Sequence, residues 1–162
     1  MNSSSAIEKK WYLVACAPKQ VKSAQYNLLS QGFTIYLPLE CSHSESIDSS
    51  APLFHRYLFI QLDRCFDNWM LVRTTPCVSG LVSLGHPHSS LLEVPNYIID
   101  SLHSREAESH QQEAFHGRQL VNSLFSVNNG VERSMLLFET LTKEHQIIHE
   151  TETVEHLESA YR

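Results

Sequence analysis

Histidine offers this chain its widest scope for chemistry, with ten in 162 residues. His145 and His149 stand four apart in His145-Gln146-Ile147-Ile148-His149. On a helix that spacing sets two imidazoles on one face, where they could hold a metal. No glutamate follows His145 directly, so the tract lacks the base that a zinc-dependent hydrolase places there. His86 and His88 flank Pro87 in an expected turn. The four cysteines, Cys16, Cys41, Cys65 and Cys77, are widely spaced and form no Cys-x-x-Cys. They read as reduced, partly buried thiols rather than a zinc or disulfide framework. There is no Gly-rich phosphate loop and no Ser or Cys nucleophile motif. The expectation is a protein that is not an enzyme, with no metal and no cofactor.

Binding is the remaining chemistry, and aromatic residues are its candidates. Leu53-Phe54-His55-Arg56-Tyr57-Leu58-Phe59-Ile60 reads as a strand. Alternation puts Tyr57 and Phe59 on one face and Leu58 and Ile60 on the other. Either both faces are core, as in any buried strand, or one offers two aromatic anchors to a partner. The formal net charge of -6 argues against nucleic-acid binding through bulk charge, though a local basic patch is compatible with it. Basic and aromatic residues do not interleave, which also disfavours a free-standing nucleic-acid-binding module. Apolar residues at 42% and charged residues at 19% suit a packed core rather than disorder.

The elements that must position these residues follow from spacing and punctuation. Trp11 to Cys16 reads as a strand, Lys19 to Gln31 as a helix stopped by Gly32, and Phe33 to Leu37 as a second strand. Residues 41–51 are Ser-rich and read as a loop or exposed hairpin arm. After the aromatic strand at 53–62, Asp67 to Arg73 reads as a short helix and Val78 to Leu84 as a strand. Pro95 then opens a helix carrying Ile98, Ile99 and Leu102. This order predicts an α/β (α+β) sandwich, with helices packed on a mainly antiparallel sheet. Three segments result: a domain at 9–102, a polar linker or helix extension at 103–113, and a small C-terminal domain at 114–158. That last part is locally ambivalent. Leu120, Val121, Leu124 and Phe125, then Leu137, Leu141 and Ile148, have helical spacing and predict a helical hairpin. Asn129-Gly130 is also a strong β-hairpin signal, and its flanks could pair as strands. No signal peptide or bilayer-length apolar run is visible, so no membrane association and a cytoplasmic location are expected.

Several short motifs occur in order: Trp11-Tyr12, Phe54-x-x-Tyr57-Leu58-Phe59, Trp69-x-Leu71-Val72-Arg73-x-x-Pro76-x-Val78-x-Gly80 and Val94-Pro95. Together they resemble the NusG family of transcription elongation factors. Glu132-Arg133-Ser134-Met135-Leu136-Leu137, with Ala114-Phe115-His116-Gly117 upstream, is similar to its specialised antiterminator branch, typified by RfaH. The resemblance implies an N-terminal domain that binds the β′ clamp helices of RNA polymerase through Phe54, Tyr57 and Phe59. It implies a bridge to the β gate loop at Asn68, Trp69 and Met70, where this chain departs from a His-Thr-Thr-type tract. It implies contact with the non-template DNA strand through Lys19, Gln20, Lys22, Asn27, Arg73 and Thr75. Ala17, Ser23 and Asn27 stand where that branch carries basic or histidine side chains.

In that branch the C-terminal KOW-like domain covers the polymerase-binding patch as a helical hairpin, then refolds to a β-barrel that recruits a ribosomal protein. Glu106 to Gln112 lacks the strand character of the barrel's opening strand. Arg133 matches the basic half of the bridge that holds the closed state, but Ala51 occupies the acidic position. Closure is therefore expected to rest on Leu124, Phe125, Leu137, Leu141 and Ile148 against Phe54, Tyr57, Phe59, Ile99 and Leu102. Each such burial is worth about 1.5–3 kcal/mol.

Overall fold

The computed structural model describes the backbone of residues 8–40, 51–84, 90–106 and 115–160, and the side chains of these except 106, 115–118 and 148–160. The expected role of Ile148, the pair His86 and His88, and Cys41 therefore lie outside the described side chains. Around the first apolar run, β1 (Lys10–Cys16), a sheet assembles in the order β2-β3-β1-β4. β1 pairs antiparallel with β3 (Tyr57–Leu62), in a register that sets Leu13 opposite Phe59 and Ala15 opposite Tyr57. It also pairs with β4 (Val78–Leu81), and β7 (Glu93–Val94) adds to its start. β2 (Thr34–Tyr36) closes the other side against β3. The expected strand at 78–84 divides into β4 and β5 (Ser83–Leu84), which pairs with β6 (Ser90–Leu91) in a small separate ribbon.

Both faces of the main sheet are buried, by different parts of the chain. Tyr12, Val14, Cys16, Leu58, Ile60 and Leu62 meet Val21, Ala24 and Leu28 of α1 (Val21–Ser30), with Val72 of α2 (Met70–Thr74). Gly32 stops α1 with φ 88°, and the Gly32 and Phe33 amides donate to the carbonyls of Leu29 and Leu28. This is a left-handed cap of the Schellman kind, open to glycine at no steric cost. On the opposite face, Leu13, Phe59 and Val94 meet Ile98, Ile99 and Leu102 of α3 (Asn96–Glu106). Val121 and Leu124 of α4 (Phe115–Ser126) and Leu137 and Leu141 of α5 (Gly130–Ala160) complete that cluster.

The α/β sandwich with an antiparallel sheet is thus present, and the C-terminal part is a helical hairpin. Asn129 shows why the helical alternative wins locally. Its side-chain oxygen accepts the Val131 amide at 2.9 Å, and its carbonyl accepts the Arg133 amide. Asn129 is a helix N-cap here, not the first residue of a β-turn. α3 runs on past Leu102 to Glu106, and residues 107–114 lie outside the described part.

Candidate interdomain site at the start of β3

The expected aromatic strand is a strand only from Tyr57 onward. Residues 53–56 form bends and turns, and the amides of Leu53 and His55 bond away from the sheet. The Leu53 amide donates to the Pro38 carbonyl at 2.8 Å, and the His55 amide donates to Ser134 Oγ at 3.0 Å. Pro52 has no amide to offer and forms an isolated bridge with Leu39. Phe54 and Phe59 are fully buried, with ring centroids 5.9 Å apart at 88°. Phe59 also stacks on Tyr36, whose ring stacks on His103 of α3 at 3.9 Å. Tyr57 is half-buried. The outward-facing surface expected from alternation therefore faces α3, α4 and α5 in this arrangement.

One side chain ties the hairpin to this segment. Arg133 is 5% exposed, and each of its three guanidinium nitrogens donates a hydrogen bond. Its Nε donates to the carbonyls of Leu124 (3.1 Å) and Val127 (3.2 Å), and its Nη2 to Val127 (2.8 Å). Its Nη1 donates to the Leu53 carbonyl at 2.9 Å and to Glu40 Oε1 at 2.6 Å. The carboxylate missing at Ala51 is therefore supplied by Glu40, and this ion pair adds to the expected apolar contacts of Leu124, Phe125, Leu137 and Leu141. The Glu40 amide donates to the Ala51 carbonyl at 2.8 Å, so the two positions are paired across the 41–50 segment. Reading one position at a time missed Glu40. Leu39 is bridged to Pro52 and Glu40 to Ala51, so the carboxylate stands beside position 51 rather than at it.

Further contacts follow the seam. Arg105 of α3 lies 3.8 Å over the Phe125 ring and bonds Asn122. Tyr97 bonds Glu144, and burial first, then that carboxylate, raises its pKa to about 12. His145 Nε2 lies 2.8 Å from Ser90 Oγ, so this histidine joins α5 to β6. Among the described residues no His, Cys, Asp and Glu group is arranged to hold a metal. Burial pushes the Cys16 thiol up to about 12, which makes it a core residue rather than a nucleophile.

The residues expected at DNA separate into two sets. Lys19, Gln20, Lys22 and Arg73 are exposed. Lys19 and Lys22 line a cleft of about 370 Å³ with Glu40, His55 and Gly130. Asn27 instead donates to the Pro76 carbonyl at 3.1 Å. Thr75 is 4% exposed, with its hydroxyl donated to the Leu71 carbonyl and shared with Gln31, so its side chain is unavailable to a phosphate. At the expected gate-loop position Asn68 and Met70 are exposed, while Trp69 packs partly into the α1-side core. Phe66 and Leu71, which sequence reasoning passed over, are also exposed there.

Among the described residues no helix is long and apolar enough to cross a membrane. No curated protein matches the chain. A solved structure concerned with domain interaction in Thermotoga maritima NusG is similar at 19% identity and a TM-score of 0.49, covering 68% of this chain. The chain spans 64% of that relative's length. Residues 9–103, more than half of the sequence, match the family described as transcription termination factor NusG, and the chain therefore belongs to the NusG family of transcription factors.

Proposed function

We propose that this protein is an elongation and antitermination factor of the RfaH-like branch, which captures RNA polymerase through Phe54, Tyr57 and Phe59 once its C-terminal hairpin lifts. The clamp helices of β′ are the proposed partner of that surface. Asn68, Trp69 and Met70 would face the β gate loop. Lys19, Gln20, Lys22 and Arg73 would steer the non-template strand by its phosphates, which positions the protein without reading a base. Residues 9–102 form the capturing unit and residues 114–158 the cover, in the cytoplasm of a bacterium. The released cover, through segments 124–127 and 131–135, carries the strand potential for a barrel that would meet a ribosomal protein.

The observation that carries this reading is the covered patch with its polar latch. Arg133 of α5 reaches Glu40 and Leu53, on the two chain segments that lead into the aromatic residues. A contact serving stability alone has no need of a buried cation at this seam, since apolar replacements commonly do as well.

The test is capture of core RNA polymerase by the full chain. Glu40→Ala should capture more than wild type. Adding Tyr57→Ala to Glu40→Ala should bring capture back down. Equal retention by all three proteins would sink the proposed site.

A further inference from the structure

A second cleft, of about 460 Å³, opens at the same seam. Pro18, His55, Arg56 and Tyr57 form one wall, and Val131, Ser134, Met135 and Phe138 of α5 form the other. That volume lies in the ordinary range for small-molecule sites. Five of the eight lining side chains are apolar. Two of them, Val131 and Met135, are 41% and 66% exposed, so the closed hairpin leaves them uncovered.

The polar groups in the cleft are unequal. Ser134 is occupied, donating to the Gly130 carbonyl at 2.7 Å and accepting the His55 amide. Arg56 is not. Its Nε is buried and, among the described residues, has no hydrogen-bond partner. Among the described residues no carboxylate lines the cleft. A guanidinium beside apolar walls with no acid to answer it is half of a recognition pair.

We propose that this cleft binds a small monocarboxylate with a flat or extended apolar body. The carboxylate would meet Arg56, and the body would lie along Tyr57, Met135 and Phe138. A single facing arginine suits one negative charge better than a phosphate dianion. Met135 supplies an adaptable wall, as methionine does in binding surfaces of relaxed shape.

The walls belong to different units, so the ligand binds only the closed arrangement and stabilises it by mass action. Such a ligand would hold the aromatic patch shut. That consequence rests on the function proposed above, whereas the site itself does not.

The experiment uses the full chain, isotope-labelled for NMR, with 2-naphthoate as probe and naphthalene-2-carboxamide as its uncharged isostere. The acid should shift the amide signals of Tyr57, Val131 and Met135 saturably and raise the unfolding temperature. The carboxamide should bind about tenfold more weakly, the effect of losing one charge-assisted pair. Arg56→Gln should erase the difference between the two probes. Met135→Glu, at an exposed position that leaves folding intact, should abolish binding of both. Equal binding of acid and amide, a preference that survives Arg56→Gln, or binding that survives Met135→Glu would each overturn the site. So would an inert naphthoate alongside an acidic amphipathic peptide that fills the cleft. None of these readouts involves polymerase, so their failure is separate from failure of the transcription reading.

Discussion

Arg133 holds a charge in a place that disfavours one, and its four acceptors explain how. Three backbone carbonyls take most of its N–H groups, and Glu40 supplies the single opposite charge. The two ends of this pair are unequal, because the Arg133 side chain is 7% exposed and that of Glu40 is 39% exposed. Replacing the exposed partner should cost less than replacing the buried one. Glu40→Gln is expected to lower stability by roughly 1–2 kcal/mol, between surface and buried pairs. Arg133→Ala, which strands the carbonyls of Leu53, Leu124 and Val127, should cost about 3 kcal/mol or more. Denaturant unfolding of both variants checks the order. If Glu40→Gln proves the more damaging, the carboxylate does more than answer Arg133. A restoring double variant, Glu40→Ala with Ala51→Glu, should recover most of the loss, because the two positions are adjacent. The arginine was legible in the sequence and its partner was not, since a carboxylate that moves to a paired position leaves no mark in a one-dimensional alignment of motifs.

Among the elements, the least expected is the segment before β3. Its apolar run reads as strand from Leu53, yet it enters the sheet only at Tyr57. Hydrophobic pattern does not report where backbone amides go, and here Pro38 and Ser134 take them. The hairpin was legible as one of two alternatives. Its helical spacing matched a sheet face that needed covering, and tertiary burial of Val121, Leu124, Leu137 and Leu141 decided between them. Gly130 of α5 lies beside this segment, where its carbonyl accepts the His55 amide at 3.4 Å. A Cβ there would stand 3.7 Å from the Leu53 carbonyl oxygen, an ordinary contact. Gly130→Ala should therefore be tolerated within about 0.5 kcal/mol. Gly130→Phe should push α5 off residues 53–55 and raise the fluorescence of an apolar dye.

The α3–α5 contact carries its own pH dependence. Burial and Glu144 raise Tyr97 from 10.0 to about 12, so its neutral form is favoured by folding. That stabilisation is complete below about pH 10 and is lost as the pH climbs towards 12. Tyr97→Phe should flatten this part of the alkaline unfolding curve, read by circular dichroism. An unchanged curve would show that the tyrosine does not sense the seam.

At the scale of the whole molecule, the order of elements and the antiparallel sheet were legible, because strand alternation and proline and glycine punctuation are local signals. Which helix covers which face is not a local signal: the contact of Phe59 with Leu137, far apart in the chain, was expected from the family resemblance and not from spacing or punctuation. The two covers differ in kind. α1 is connected to the sheet it covers by short links, whereas α4 and α5 reach it from the far end of the chain. Hydrogen exchange should reflect this, with amides of α4 and α5 opening before those of β1 and β3. Glu40→Ala should speed exchange in α4 and α5 while leaving β1 unchanged.

The two-faced burial of the sheet also bears on the lifetime of any opened form. Lifting the hairpin would bare Phe54, Phe59, Val94, Ile98, Ile99 and Leu102 together, a contiguous apolar surface. Such a species would self-associate unless a partner took the surface at once. Opening and capture would then be a hand-over, whose speed levels off as partner concentration rises because the hairpin's own departure becomes the slow step. On the proposed function the hairpin would be an escort, which would keep the sheet from the wrong company until the right surface arrives.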